Sequence, residues 1–202
     1  MPSVIQADLL KDASATKTLA TLSSSAVTLH SDVTFPADHV IQVNQVIDQS
    51  IDERSGNKSS WAPTGASCTL PNNLKNNSKL FVMFSGNYGE SEGNHYGSGT
   101  VFSIFQNSTN ICGNQLSSLN SDKGLARVSM GNNIANYEMN HFSGSIYFTP
   151  TGTDTAKRTV ELQWRSTVDS SYYSYLNRMG QSGTEVWSIG GATIITVMEV
   201  AQ

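Results

Sequence analysis

The run Gly190–Gln202 constrains the fold more than any other stretch: it is apolar, it has strand character, and it ends almost where the chain does. Side chains alternate along a strand, so Ile194, Met198 and Val200 share one face while Ile195 and Val197 share the other. Both faces need cover. A strand apolar on two sides is normally central, with a core beneath it and either a second layer or another subunit above it. A chain closed by such a strand is expected to be all-β and self-associating.

At 202 residues the chain is long enough for one substantial core plus an appendage. Only 14% of its residues are charged, so its polarity comes mainly from Ser, Thr and Asn. The net charge of −4 gives no electrostatic reason to hold a phosphate backbone, and nucleic acid is not expected as a partner. Cys68 and Cys112 lack metal-type or redox-type spacing and read as two buried free thiols, with a disulfide as the alternative. The N-terminus has no basic region followed by a long apolar core, and no apolar stretch is long enough to span a bilayer as a helix. The expectation is synthesis in a cytoplasm without membrane insertion. Asn57, Asn76 and Asn107 begin Asn-x-Ser/Thr triplets, which an Asn/Ser/Thr-rich chain produces by chance.

Residues 1–38 differ in texture from 39–202. Ala7 to Leu22 carries Leu9, Leu10, Ala13, Leu19 and Leu22 as an imperfect helical stripe, followed by short strands at Val27–Leu29 and Val33–Phe35. This segment has too few apolar residues to fold alone and reads as an extended arm that orders against something else, or as a flexible leader. From His39 onward the signals are strands and turns. Val40 to Ile47 forms the first apolar run, and Asp48 to Gly65 reads as a long polar loop. Leu80, Val82 and Phe84 share one face of the next strand, with Phe81 and Met83 on the other. Thr100–Gln106 leads to a hairpin turn at Asn107–Asn110; Phe142, Ile146 and Phe148 alternate with serines and Tyr147; and Val160, Leu162 and Trp164 alternate with Glu161, Gln163 and Arg165. About eight strands with no helix after residue 38 fit two packed antiparallel sheets, a jelly roll.

Catalytic signatures are sparse. There is no nucleophile elbow, zinc-protease helix, phosphate loop or dinucleotide fingerprint, and the acids are scattered. No cofactor is expected. In the loop 86–99, Tyr88, Glu90, Glu92, His95 and Tyr96 form the outward cluster of most interest. A glycine-rich surface turn, an oxygen-rich cation site and a shallow sugar-binding face are its three readings. The four histidines share no ligand spacing, so no metal site is assigned. Tyr172, Tyr173 and Tyr175 read either as sheet-edge packing or as an intersubunit contact. Together with Phe81, Met83, Ile195 and Val197 they make up the candidate subunit interface.

The leader at 7–25, the step Thr34–Val43, the strands Ser78–Met83 and Val160–Arg165, and the ending Ile195–Val200 together resemble virion appendage proteins of marine tailed bacteriophages, the tail-fibre, head-fibre and structural proteins. The C-terminal part of such proteins resembles the C1q/TNF-type jelly roll, which assembles as a trimer about a threefold axis. The resemblance implies a non-enzymatic homotrimer on the virion surface, attached to capsid or tail proteins by the 1–38 arm and displaying the loops at 48–65 and 86–99. It leaves two alternatives standing: a receptor-binding adhesin for a host-surface glycan, and an enzyme acting on surface polysaccharide.

Overall fold

The computed structural model describes residues 9–11, 18–22, 27–29, 36–55, 60–90, 99–112, 124–128, 139–151, 157–166, 173–178 and 190–202. They form fourteen strands: β1 (Leu9–Lys11), β2 (Thr18–Leu22), β3 (Val27–Leu29), β4 (Val40–Asp48), β5 (Asp52–Ser55), β6 (Ala62–Thr69), β7 (Lys79–Glu90), β8 (Thr100–Gln106), β9 (Thr109–Asn110), β10 (Ala126–Val128), β11 (Asn140–Phe148), β12 (Thr159–Ser166), β13 (Tyr173–Leu176) and β14 (Thr193–Val200). Every pairing among them is antiparallel.

In the first large sheet β7 is central, flanked on one side by β11 and on the other by β14 and then β13; β4 and β5 lie outside those two. In the second sheet β6, β12 and β8 lie side by side, and β9 and β10 share the far edge of β8. Counting β4/β5, β9/β10 and β13/β14 as one position each leaves eight strand positions in two sheets. The first sheet then holds the first, eighth, third and sixth, and the second holds the second, seventh, fourth and fifth. That order is a jelly roll. The strands β1, β2 and β3 form a separate meander.

The meander corrects the helical reading of Ala7 to Leu22. Leu9 stands opposite Thr21 and Leu10 opposite Ala20. Ser14, Thr16 and Thr18 interrupt the apolar stripe with residues whose side chains lose rotamer freedom in a helix or compete for its backbone bonds. The strand at Val27–Leu29 is present, and Val33–Phe35 lies outside the described residues.

The polar loop expected at 48–65 is also corrected, since β5 pairs with β13 and β6 with β12. The signal in β6 is weak because its inward side chains, Thr64, Ala66 and Cys68, are small. Pro63 is tolerated there because β6 is an edge strand. Elsewhere alternation reads correctly: Val160, Leu162, Trp164, Phe142, Ile146 and Phe148 are all buried. The expected hairpin is present, with Asn107 and Ser108 both left-handed at φ 50° and 61°.

The core is organised by aromatic rings lying over glycines. Phe84 stands opposite Gly144, and Phe142 stands opposite Gly86, on the neighbouring strands β7 and β11. A methyl group on Gly86 would come within 2.5 Å of the Phe142 ring, and one on Gly144 within 2.5 Å of the Phe84 ring. The missing side chains therefore let both rings lie against the sheet. Phe102, from the opposite sheet, stacks on Phe142 at 3.8 Å with 4° between planes, and Trp164 and Tyr88 close around Phe102.

Buried polar groups are matched where the sheets end. Asn177 donates through Nδ2 to the carbonyls of Asp48 and Ser50 and accepts from the Thr193 hydroxyl, tying the β4–β5 break to the junction of β13 and β14. Its φ of 59° is left-handed, which asparagine tolerates better than most residues. Glu199, fully buried, accepts from Gln42 Nε2 and from the backbone N–H of Lys75, each at 2.6 Å, and so anchors the turn before β7. Cys68 and Cys112 are free and buried, and burial raises the pKa of both thiols.

Gly86→Ala is expected to lower the unfolding free energy by about 1–3 kcal/mol through overpacking against Phe142. Asn177→Ala is expected to cost about 2–3 kcal/mol by removing the buried carboxamide that bonds the Asp48 and Ser50 carbonyls and the Thr193 hydroxyl, and by placing alanine in a left-handed position. Urea titration of each variant measures both. An unchanged midpoint for Gly86→Ala would mean that the ring does not lie on the glycine.

Candidate functional site

Once Phe84 faces inward, the two-residue period of the strand fixes what faces outward. Across β4, β14, β7 and β11 the registers place three transverse rows on the outer surface of the first sheet. These are Val43–Met198–Phe81–Tyr147, then Gln45–Thr196–Met83–Ser145, then Ile47–Ile194–Ser85–Ser143. Val43 is 53%, Ile47 58%, Met83 36% and Tyr147 41% exposed. Phe81, Ile194 and Met198 are half-buried beside them. No charged side chain stands in these rows. Lys79 borders them, its ammonium 5.2 Å from the centre of the Tyr147 ring, and Gln202 donates to the Tyr147 hydroxyl at 2.7 Å.

A groove of about 350 Å³ runs through this surface between β11 and β14. Met83 and Ile194 give it apolar walls, and Ser85, Ser143 and Ser145 leave room because their side chains are short. Val40 and Ile51, 46% and 61% exposed, extend the apolar character along the outer edge of the sheet. Seven of the twelve positions in the three rows are apolar, and Gln45, Thr196, Ser85, Ser143 and Ser145 stand between them without charge.

The sequence-predicted interface residues divide between the two faces. Phe81 and Met83 are on the outer surface. Ile195 and Val197 are not: both are fully buried against the second sheet of their own chain, and Ile194 and Met198 take the outward positions instead. The correction follows from the register, because Ile195 pairs with inward Phe84 and Val197 with inward Val82. Tyr173 is 42% exposed at the β13 end of the same surface and lies parallel to Tyr175, 6.5 Å away. Tyr175 is held within its own chain by the Arg178 guanidinium, 4.0 Å from its ring centre; Arg178 in turn pairs with Glu53 at 3.1 Å. Burial and then the Glu53 charge push the Tyr175 pKa up. Tyr172 lies outside the described residues.

The outward cluster expected in 86–99 is corrected in part. Residues 86–90 belong to β7, and Tyr88 is fully buried. Its hydroxyl closes a triangle with Thr100 Oγ1 at 2.9 Å and Ser174 Oγ at 3.1 Å. It is an inter-sheet clasp and not part of a sugar-binding face. The Glu90 backbone pairs with Ser174 at the end of β7. Glu92, His95 and Tyr96 lie outside the described residues.

Among the described residues no group of three or more His, Cys, Asp or Glu is placed to hold a metal ion. Asp52 and Glu53, adjacent in β5, point to opposite faces of the strand and do not converge as an acid pair. No helix among the described residues is long and apolar enough to cross a membrane.

On the second sheet the outer surface is different in kind. Trp61 lies beneath the Arg165 guanidinium, 5.1 Å from the ring, and beside Phe105, 5.3 Å between ring centres. Glu161 accepts a short hydrogen bond from Gln163 Nε2. Comparison with protein-family models and with curated proteins matches nothing to this chain.

Tyr88→Phe is expected to lower stability by about 1–2 kcal/mol, the cost of one buried hydroxyl leaving its partners, and to leave the oligomeric state unchanged. Thermal unfolding alongside sedimentation checks this. A change in association without a change in stability would return Tyr88 to the surface.

Proposed function

We propose that this chain is a non-enzymatic structural and display protein that works as a homotrimer, its first sheet turned toward the other copies and its N-terminal segment attached to a virion. The observation that carries the reading is the uncharged apolar outer surface formed by Val43, Ile47, Phe81, Met83, Tyr147, Ile194 and Met198. Copies gathered about a symmetry axis bring like surfaces close together, and charge on such a surface would repel itself. This one carries none in its three central rows.

Covering an exposed Val, Ile or Met side chain contributes on the order of 1–2 kcal/mol, so several together offset much of the entropy lost on association. The jelly-roll strand order supports the likeness to the C1q/TNF-type fold, for which a threefold arrangement is usual. The likeness to bacteriophage appendage proteins supports the virion setting. The meander of β1 to β3, paired within itself, suits an attachment segment distinct from the sandwich.

Sedimentation equilibrium of the full chain is expected to give a trimer at micromolar concentration. Met83→Glu, placed where the side chain is exposed, is expected to weaken association at least tenfold while shifting unfolding stability by no more than about 0.5 kcal/mol. A single copy at all concentrations, unaffected by the substitution, would overturn the reading. A fragment beginning at His39 is expected to remain trimeric and to lose binding to particles, and decoration of virions by that fragment would remove the attachment role from the segment 1–38.

A further inference from the structure

We propose that the outer surface of the second sheet carries a site for one neutral hexopyranose ring, separate from the self-association surface. At the end of β8, β9 and β12 lies a cavity of about 230 Å³, lined by Ser67, Phe105, Asn107, Ser108, Thr159 and Glu161. At roughly 30 Å³ per water molecule it holds about eight, room for a single sugar ring and not for a long ligand. Phe105 is its apolar component. Its ring is almost fully buried, with Trp61 packed beside it. The remaining lining is hydroxyl, carboxamide and carboxylate.

With Phe105 only 6% exposed the cavity offers an aromatic edge and no stacking face, so a sugar ring is held chiefly through its hydroxyls, which meet the hydroxyl, carboxamide and carboxylate groups of the lining. Asn107, Ser108 and Ser67 are exposed at the mouth, so hydrogen bonds to a ligand would replace those to water. Glu161 uses one carboxylate oxygen for Gln163 and keeps the other available. Its charge disfavours acidic sugars, which restricts the class to neutral ones.

The turn that forms one wall adds an independent observation. Asn107 and Ser108 are both left-handed, the conformation of a two-residue hairpin in which Asn-Gly is the preferred pair. Serine at the second position is the unfavourable choice for the backbone, and it places a hydroxyl on the cavity wall. Strain of this kind at a cavity points to a ligand contact. The site also lies on the opposite sheet from the apolar surface, so it remains open when copies associate. It stands whether or not the trimer reading does.

The test is saturation-transfer NMR on the full chain with the methyl glycosides of glucose, galactose and mannose, N-acetylglucosamine, and glucuronate as the acidic control. At least one neutral sugar is expected to bind with Kd on the order of 1 mM, and glucuronate at least tenfold more weakly. Ser67→Trp, which fills the cavity from an exposed strand position, is expected to weaken binding at least tenfold. If that variant does not fold, Glu161→Ala is expected to produce the same loss. Met83→Glu is expected to leave sugar binding unchanged, which separates this site from the self-association surface. No binding by any neutral sugar at about 20 mM, or binding that persists in the folded cavity variants, overturns the proposal.

Discussion

The packing of Phe84 on Gly144, Phe142 on Gly86 and Phe102 on Phe142 sets the orientation of everything else in the sandwich. Two glycines on adjacent strands remove the Cβ atoms that would hold the rings off the sheet, and the opposite sheet contributes Phe102, which stacks on Phe142. With Phe84 inside, alternation leaves no choice for its neighbours: Met83 and Ser85 face out. The registers then carry that decision across β14 to Ile194 and Met198 and across β4 to Val43 and Ile47. The outer apolar surface is thus a consequence of the core.

The two sheets have outer surfaces of opposite character, and the difference is chemical. The first presents aliphatic, thioether and hydroxyl groups without charge, suited to contact over an area. The second presents aromatic rings among Glu161, Gln163 and Arg165, with one small cavity at its end. The proposed self-association and the proposed sugar site fall on these two different surfaces. Between the sheets, Glu199, Asn177 and the Tyr88–Thr100–Ser174 triangle match buried polar groups to donors at the ends of the strands, where apolar packing runs out.

Much of the fold was legible in alternation. The strands β7, β8, β11, β12 and β14 carry bulky apolar residues at most of their alternate positions; β7 and β14 are central in the first sheet with β11 at its edge, and β8 and β12 are central in the second. What was not legible had small or polar inward residues. In β6 the buried positions are Thr64, Ala66 and Cys68, and β5 is a polar segment ordered by its pairing with β13. The helical stripe in the leader was a coincidence of leucine spacing, in a segment where serine and threonine favour strands and turns over a helix. Of the residues expected at a subunit interface, Phe81 and Met83 fell on the outer surface, whereas Ile195 and Val197 fell in the core, because a strand apolar on both sides does not reveal which side meets the second layer.

By itself the sequence determined the class of structure: period-two patterning, turn residues at close intervals and the absence of charge on long apolar runs are local properties, and they specify antiparallel strands wherever those strands go. Only the tertiary structure decided which of two apolar faces became core. That choice depends on register between strands distant in the chain and on where a missing Cβ lets an aromatic ring lie flat. Gly86 and Gly144, silent in the sequence, are the residues through which it is made.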